Sequence, residues 1–309
     1  MLFCKSKNIT ITISLTLFII LSAGCGGRYE DLNLSIYQYR DTKNLVRFVY
    51  DASLRLKKDG LKSIEYFKHN REKYNTKDYY LYIYDMNGKN LFHAGMKELE
   101  GKNLGNILDK NGKNITKLIL SAIDDRNNPH GWVHYTWWET GKYYPGTKSS
   151  CNLKVKTPEG AEVFVGAGLS YPHEEKEFIR IVVDDAAELI AKQGETAIDL
   201  ISDPTSQYNY RDVRVFAFTE SGKTLISPVV NDSIAHIKIL DCTDEVGNKP
   251  FKNALKKLQT KKSTWEIFMA KSRYERTLMK KCLYLRKTEL NGTTVYIGAI
   301  TDLPQPSWM

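Results

Sequence analysis

Five side chains in the first half of the chain have the types needed to hold a small organic molecule. Aromatic rings offer apolar area, a phenol adds a hydrogen-bonding tip, and a lysine ammonium pairs with a carboxylate. The candidate ligand-binding residues are Tyr82, Tyr84, Tyr135, Trp137 and Lys148. Side chains alternate along a strand, so Tyr135 and Trp137 are predicted to share one face. The open alternative is that these are ordinary sheet aromatics and that Lys148 is solvated.

These residues stand out because the chain repeats itself. Gly88 matches Gly222 at an offset of 134, Trp132 matches Trp265 at 133, and Gly166 matches Gly298 at 132. Across the repeat, the three tyrosines become Phe216, Phe218 and Phe268, and Trp137 becomes Ala270. A buried phenol without a partner costs roughly 1–3 kcal/mol, so a dry core favours phenylalanine. The comparison of the two copies therefore predicts that the polar pocket lies in the first copy.

No arrangement of residues points to catalysis or to a metal. His130 and His134 have a spacing that suits zinc on a helix, but on a strand they would lie roughly 13 Å apart. The pairs Asp124-Asp125 and Asp184-Asp185 are interpreted as solvated surface. No Ser/His/Asp or Cys/His order is recognisable as a catalytic site. The chain is therefore not expected to be an enzyme, and neither a cofactor nor a metal is expected.

The elements that would position the candidate residues follow the same order in each copy. An amphipathic helix with Leu45, Val49 and Leu56 at helical spacing precedes a hairpin at Asn87-Gly88, and a similar helix is predicted over residues 174–201. A short helix, at residues 114–123 or 250–259, then leads to three strands. The predicted fold is α+β, with a mostly antiparallel central sheet in each copy.

The N-terminus predicts export. Lys5 and Lys7 precede fifteen uncharged residues, Ile9 to Ala23, which is typical of a signal peptide and short for a membrane span. Residues 1–24 are therefore predicted to be removed and Cys25 to be lipidated, with residues 25–43 as a tether. The alternative is ordinary cleavage after Gly24. The formal charge of +9 falls to +7 without the two signal lysines, and export makes nucleic acid an unexpected partner.

Cysteine usage agrees with export without proving it. Outside the signal and Cys25, the chain has Cys151, Cys242 and Cys282, with no CxxC spacing. One disulfide is compatible with this number, and the expected pair is Cys242 with Cys282.

Several short motifs in the first copy resemble the bacterial type 2 Cache domain, in the order in which that family has them. They are Tyr84-Asp-Met-Asn-Gly-Lys-Asn-Leu91, Leu99-Glu-Gly-Lys-Asn-Leu104, Asp109-Lys-Asn-Gly-Lys113, Gly131-Trp-Val-His-Tyr-Thr-Trp137, Lys148-Ser149 and Val165-Gly-Ala-Gly168. The second copy resembles the family more weakly. One departure is that Ser150-Cys151-Asn152 follows Lys148-Ser149, where the family usually has an aromatic residue.

The resemblance implies two PAS-like modules, at residues 44–171 and 172–309, and an extracytoplasmic role in sensing a small carboxylate, amine or amino acid. Only nine residues follow the last predicted strand, so a separate transmembrane protein is expected to read the ligand-bound form. The expected location is the bacterial cell envelope, anchored to a membrane through Cys25. Two alternatives stay open: a solute-capture protein for a transporter, and a structural or interaction module that binds no small molecule.

Overall fold

A computed structural model describes residues 32–138, 143–170, 173–228, 239–271 and 277–303. The described residues from Leu34 onward belong to one compact unit. The predicted signal peptide, its cleavage site and Cys25 lie outside the described residues. In the described ranges, every helix is too short or too polar to cross a membrane.

The helices and strands occur in the predicted α+β pattern. The helices are α1 (Arg40–Asp59), α2 (Ser63–His69), α3 (Ile115–Ala122), α4 (Lys176–Gln193), α5 (Thr196–Ser202) and α6 (Pro250–Leu258). The strands are β1 (Leu81–Asp85), β2 (Asn90–His93), β3 (Val133–Trp138), β4 (Pro145–Lys156), β5 (Glu162–Ser170), β6 (Asn209–Tyr210), β7 (Val213–Arg214), β8 (Phe216–Thr219), β9 (Thr224–Ile226), β10 (Ser263–Lys271), β11 (Leu278–Leu290) and β12 (Thr293–Asp302).

Two five-stranded antiparallel sheets have the same strand order. The first sheet runs β2-β1-β5-β4-β3, and the second runs β9-β8-β12-β11-β10. Equivalent strands also share their register, since Tyr135 pairs with Lys148 and Phe268 pairs with Lys281. An irregularity interrupts the first hairpin at Tyr84 and the second at Phe218. The α+β prediction is therefore confirmed.

Both predicted long helices are shorter in the structure than predicted, because a glycine ends each of them. Each amphipathic pattern is interrupted, because Gly60 ends α1 with a φ of 63° and Gly194 ends α4 with a φ of 62°. Residues other than glycine rarely adopt this left-handed region. The Gly60 N–H still bonds the Leu56 carbonyl, and the Gly194 N–H bonds the Ile190 carbonyl. A second, shorter helix follows each glycine, α2 after Gly60 and α5 after Gly194.

The long helices bury one face against the sheets. In α1, Leu45, Val49 and Leu56 are fully buried, and the helix packs on β4 and β5. Burial of one such side chain contributes about 1.5–3 kcal/mol. Helix α4 packs on β11 and β12, while its Phe178 ring lies 4.6 Å from the Trp132 ring of the first sheet. Helix α4 therefore contacts both sheets.

The end of the predicted tether is folded. The Tyr37 hydroxyl hydrogen-bonds His130 Nδ1 at 2.5 Å and accepts from Trp132 Nε1 at 2.7 Å. The backbone N–H groups of Gln38 and Tyr39 donate to the Glu175 carboxylate. These bonds fix the chain just before α1 begins.

A connecting segment, residues 203–215, joins α5 to the second sheet. It contains the two-residue strands β6 and β7, joined by Arg211 and Asp212. Arg211 has a φ of 53°, which is strained for a residue with a side chain. This small hairpin lies beside the first sheet, because the Tyr210 ring stacks on the His134 ring at 3.9 Å.

Candidate functional site

Four of the five predicted site residues surround one small cavity, the aromatic chamber. Strand β1 supplies Tyr82 and Tyr84, and β3 supplies Tyr135 and Trp137. The predicted alternation along β3 is confirmed, because Trp132 and His134 instead contact Phe178 on the other face. The chamber has a volume of about 30 Å³ and is lined by Tyr80, Tyr82, Tyr84, His93, Ile115, Thr116, Ile119, Tyr135, Trp137 and Phe164. This volume holds about one water molecule.

The chamber phenols are hydrogen-bonded by residues of the protein itself. The Tyr82 hydroxyl donates to Asn152 Oδ1 at 2.8 Å, and the Tyr135 hydroxyl bonds Ser150 and Tyr82. Asn152 Nδ2 in turn donates to Ser150 Oγ at 3.0 Å. Burial raises the pKa of both tyrosines, so their hydroxyls stay neutral donors and acceptors.

The second sheet replaces this whole polar cluster by apolar residues. The counterparts of Tyr82 and Tyr135 are phenylalanines, and those of Ser150 and Asn152 are Leu283 and Leu285, which lie in the core beneath α6. The lost hydroxyls are thus explained by lost partners. Ser150 and Asn152 were not among the predicted site residues, although their replacement by leucine at an offset of 133 was a visible signal.

The fifth predicted residue, Lys148, lies at the edge of the chamber. Its side chain is 3% exposed, and Nζ is 3.9 Å from the centroid of the Tyr80 ring. Burial, followed by the charges of Lys148 and Arg71, lowers the pKa of His93 to about 3. His93 is therefore neutral, and Lys148 supplies positive charge beside the aromatic walls.

Lys148 also lines a second cavity, the basic cleft, which has a volume of about 190 Å³. The cleft lies between the outer strand β3 and the connecting segment. It is lined by Asn111, Lys113, His134, Tyr135, Thr136, Thr147, Lys148, Pro204, Asn209, Tyr210, Arg211, Val213 and Arg214. Four of these side chains are basic. None of the described lining residues is acidic.

A larger cavity than either of these lies at the second sheet, so cavities are not confined to the first copy. This second-sheet cavity has a volume of about 440 Å³. Its lining includes Phe268 and Ala270 at the positions of Tyr135 and Trp137, and the small Ala270 leaves the space that an indole fills in the first sheet. Charged residues also line it, three basic and three acidic: Arg211, Arg214, Lys281, Glu174, Asp212 and Asp302.

The pair Asp184-Asp185 was predicted to be solvated surface, and this prediction is wrong for Asp184. Asp184 is buried and accepts hydrogen bonds from Arg180 and from the Tyr284 hydroxyl. Burial, and then the charge of Asp125, raises the pKa of Asp185 to about 8. The pair lies on α4 where that helix contacts both sheets, which the helical pattern alone does not show.

The predicted disulfide between Cys242 and Cys282 is not formed, and both are free thiols. Cys242 packs on the core cluster that contains Leu283 and Leu285. Alternation along β11 turns Cys282 to the opposite face of the sheet, where Tyr284 reaches α4. The sheet therefore separates the two sulfur atoms.

Comparison with known proteins identifies a family. Residues 61–300 match the family described as the Cache domain. No curated protein sequence matches the chain.

Several solved structures are similar over part or most of the chain. A methyl-accepting chemotaxis protein from Vibrio parahaemolyticus is 22% identical, with 42% of this chain and 88% of that chain covered and a TM-score of 0.34. A Cache chemosensory domain described by its recognition of carboxylic acids is 19% identical, with 47% and 100% covered and a TM-score of 0.35. The ligand-binding domain of the Pseudomonas aeruginosa amino acid chemoreceptor PctB is 10% identical, with 84% and 87% covered and a TM-score of 0.28.

The family match extends from the end of α1 to the last strand and includes both sheets, the aromatic chamber and the basic cleft. The chain belongs to the Cache domain family.

Proposed function

We propose that the chain is an extracytoplasmic small-molecule sensor whose first module, residues 44–171, binds a small organic ligand at Lys148 and the aromatic chamber. The position of Lys148 supports this most directly. Its ammonium is buried against the Tyr80 ring, and Tyr135 pairs with it across the strands. An ammonium shielded from water attracts a carboxylate more strongly than an exposed one does.

The ligand enters from the basic cleft and opens the chamber. Tyr135 lines both cavities, so the cleft and the chamber are neighbours. A volume of about 30 Å³ is too small for an organic molecule, so a chamber wall moves on binding. Trp137 is the wall that moves, because it is only half-buried near the end of the outer strand β3. Binding then selects an opened form of the first sheet.

Helix α4 relays that change to the second module, residues 172–309. It touches Trp132 and His134 of the first sheet through Phe178, and Asp184 accepts from the Tyr284 hydroxyl of the second sheet. A displacement of β3 therefore shifts the packing of a helix that the second sheet also holds.

The proposal includes attachment to the cell envelope through a lipid on Cys25 and action through a separate transmembrane protein. The residues Leu21-Ser-Ala-Gly-Cys25, which follow an uncharged apolar run, support the lipid anchor. The ligand belongs to the small carboxylates, amines or amino acids.

A ligand screen tests the proposal. The melting temperature of the purified protein is measured with a panel of carboxylates, amines and amino acids. A ligand at 100 times its dissociation constant adds about 2.7 kcal/mol of stability, which a thermal shift detects easily. Transport that depends on the bound ligand would indicate solute capture instead, and a panel without any thermal shift would favour a module that binds no small molecule.

A further inference from the structure

We infer that the basic cleft binds a small anion with two negative charges, which Lys113 and Lys148 hold from the first sheet's side and Arg211 and Arg214 hold from the connecting segment. This inference rests on the proposed function. It names the charge of the ligand and adds contacts from outside the first module.

The charge balance of the cleft favours an anion. Its described lining has four basic side chains and no carboxylate. The nearby Asp109 offsets part of the Lys113 charge, and its oxygens accept from the backbone N–H groups of Asn111, Lys113 and Thr136. Arg211 and Arg214 also line the second-sheet cavity, where Glu174, Asp212 and Asp302 lie, so the cleft lining is the side on which the cations outnumber the carboxylates. Like charges that converge on a cavity repel one another, and a bound anion reduces that repulsion.

Two of the cations are buried, which makes the cleft a built site rather than a patch of surface lysines. Lys113 is 4% exposed and Lys148 is 3% exposed. Lys113 Nζ donates to the Asn209 carbonyl at 2.7 Å, which ties the connecting segment to the first sheet. Burial lowers the pKa of Lys113 to about 8, so its positive charge is costly at this buried position.

Tyr210 lines the cleft, and its buried hydroxyl lacks a hydrogen-bond partner among the described residues. Tyr210 is 6% exposed, and among the described residues its hydroxyl oxygen bonds no other atom. An unsatisfied buried hydroxyl costs free energy, and an oxygen of a bound anion would accept its hydrogen bond. The phenol stands on the same short hairpin as the two arginines.

The hairpin geometry serves to present those arginines. Arg211 occupies the turn between β6 and β7 with its strained φ of 53°, and Arg214 ends β7. Strained residues that persist in a fold are concentrated at functional sites. Because Arg211 and Arg214 come from beyond α5, an anion that touches them and Lys148 would clamp the connecting segment onto the first sheet.

Calorimetric titration of the full-length chain tests the inference. The probes are succinate, malonate, orthophosphate and acetate. The ionic strength is kept constant, because dissolved salt screens the attraction between each anion and the basic side chains. Succinate or malonate is expected to bind at least tenfold more tightly than acetate. A preference for orthophosphate over both dicarboxylates would support the same site and identify the anion as inorganic.

Variants separate the arginine contacts from the lysine contact. Arg214→Gln is expected to weaken binding of the two-charge anion at least tenfold and to leave acetate unchanged, and Arg214→Lys is expected to restore part of the loss. Arg211→Asn removes the charge and keeps a residue that tolerates positive φ, with the same expected effect. Arg126→Gln, an exposed charge outside the cleft, is the matched control and should change nothing.

Two results would overturn the inference: equal affinity for acetate and the dicarboxylates, or binding that neither arginine substitution weakens. A cationic amine or an uncharged ligand that binds and depends on Lys148 or Tyr135 would leave the proposed function standing and remove only the inference. A chain that binds no probe and no member of the ligand panel would remove both.

Discussion

The Tyr82 hydroxyl donates to Asn152 Oδ1 at 2.8 Å, and the second sheet has Phe216 and Leu285 at the same two positions. The two sheets thus carry a polar pair and an apolar pair in one structural place. The polar pair satisfies its own hydrogen bond, and the apolar pair needs none. A pair with one residue of each kind should therefore leave a buried polar group without a partner. This relationship explains why Tyr82 is kept in the first sheet without assigning its hydroxyl to a ligand.

Breaking the polar pair should destabilise the fold. In Asn152→Leu the Tyr82 phenol is buried without its acceptor, and the free energy of unfolding should fall by about 1–3 kcal/mol. The double variant Tyr82→Phe with Asn152→Leu copies the second sheet and should recover part of that loss. Urea unfolding of the four proteins in the cycle measures the coupling. Strictly additive effects would show that the two side chains do not stabilise each other.

Asp185 should make stability depend on pH. Its folded pKa of about 8 lies above that of an unfolded aspartate, so the folded state binds more protons and stability falls as pH rises from about 4 to 8. Asp185→Asn should flatten that slope and raise stability at pH 8 by about 1–3 kcal/mol. Thermal unfolding between pH 5 and 9 is the measurement. A variant with the slope of the parent protein would show that Asp185 ionises normally.

Lys113 should make anion affinity depend on pH. Burial lowers its pKa to about 8, and a bound anion would raise it, so affinity should be highest below pH 8 and fall as pH rises above that value. If binding depends on one proton, the affinity can fall by at most about tenfold for each unit of pH. Titrations with succinate at pH 7, 8 and 9 should show the fall, and Lys113→Met should abolish it. A flat profile in the parent protein would contradict a role for Lys113.

Cys25 should hold the protein on a membrane. Cys25→Ser removes the thiol that would accept the lipid, and the protein should move from the membrane fraction to the soluble fraction of the producing cells. Loss of radiolabelled fatty acid from the same band is the second measurement. A Cys25→Ser protein that stays with the membrane would point to another mode of attachment.

Much of the fold was predictable because it depends on short-range patterns. Apolar spacing marks α1, and the Asn87-Gly88 turn marks the first hairpin. Asn114 marks the start of α3, where its side chain accepts from the Lys117 N–H. The repeat added the rest, because equivalent residues proved to share strand order and register. What was underestimated was Gly60, whose left-handed backbone ends a helix that the apolar pattern alone would continue.

The site was less predictable because it depends on contacts between distant parts of the chain. Tyr82, Tyr84, Tyr135 and Trp137 could be chosen from differences between the copies. Arg211 and Arg214 could not, since nothing in the local sequence shows that the hairpin beyond α5 folds back onto β3. The buried position of Asp184 and the half-buried position of Asp185 were missed for the same reason, because their partners come from the second sheet and from a loop of the first.

The central claim is that Lys148 and its aromatic neighbours bind the ligand, and the two sheets provide a matched control. Lys281 pairs with Phe268 as Lys148 pairs with Tyr135, so Lys281→Ala removes an ammonium at the equivalent register position. The decisive measurement is calorimetric titration, with the tightest-binding member of the ligand panel, of the parent protein, Lys148→Ala, Tyr135→Phe and Lys281→Ala. We expect Lys148→Ala to weaken binding at least tenfold, Tyr135→Phe to weaken it less, and Lys281→Ala to leave it unchanged. Unchanged affinity in both Lys148→Ala and Tyr135→Phe would contradict the assignment.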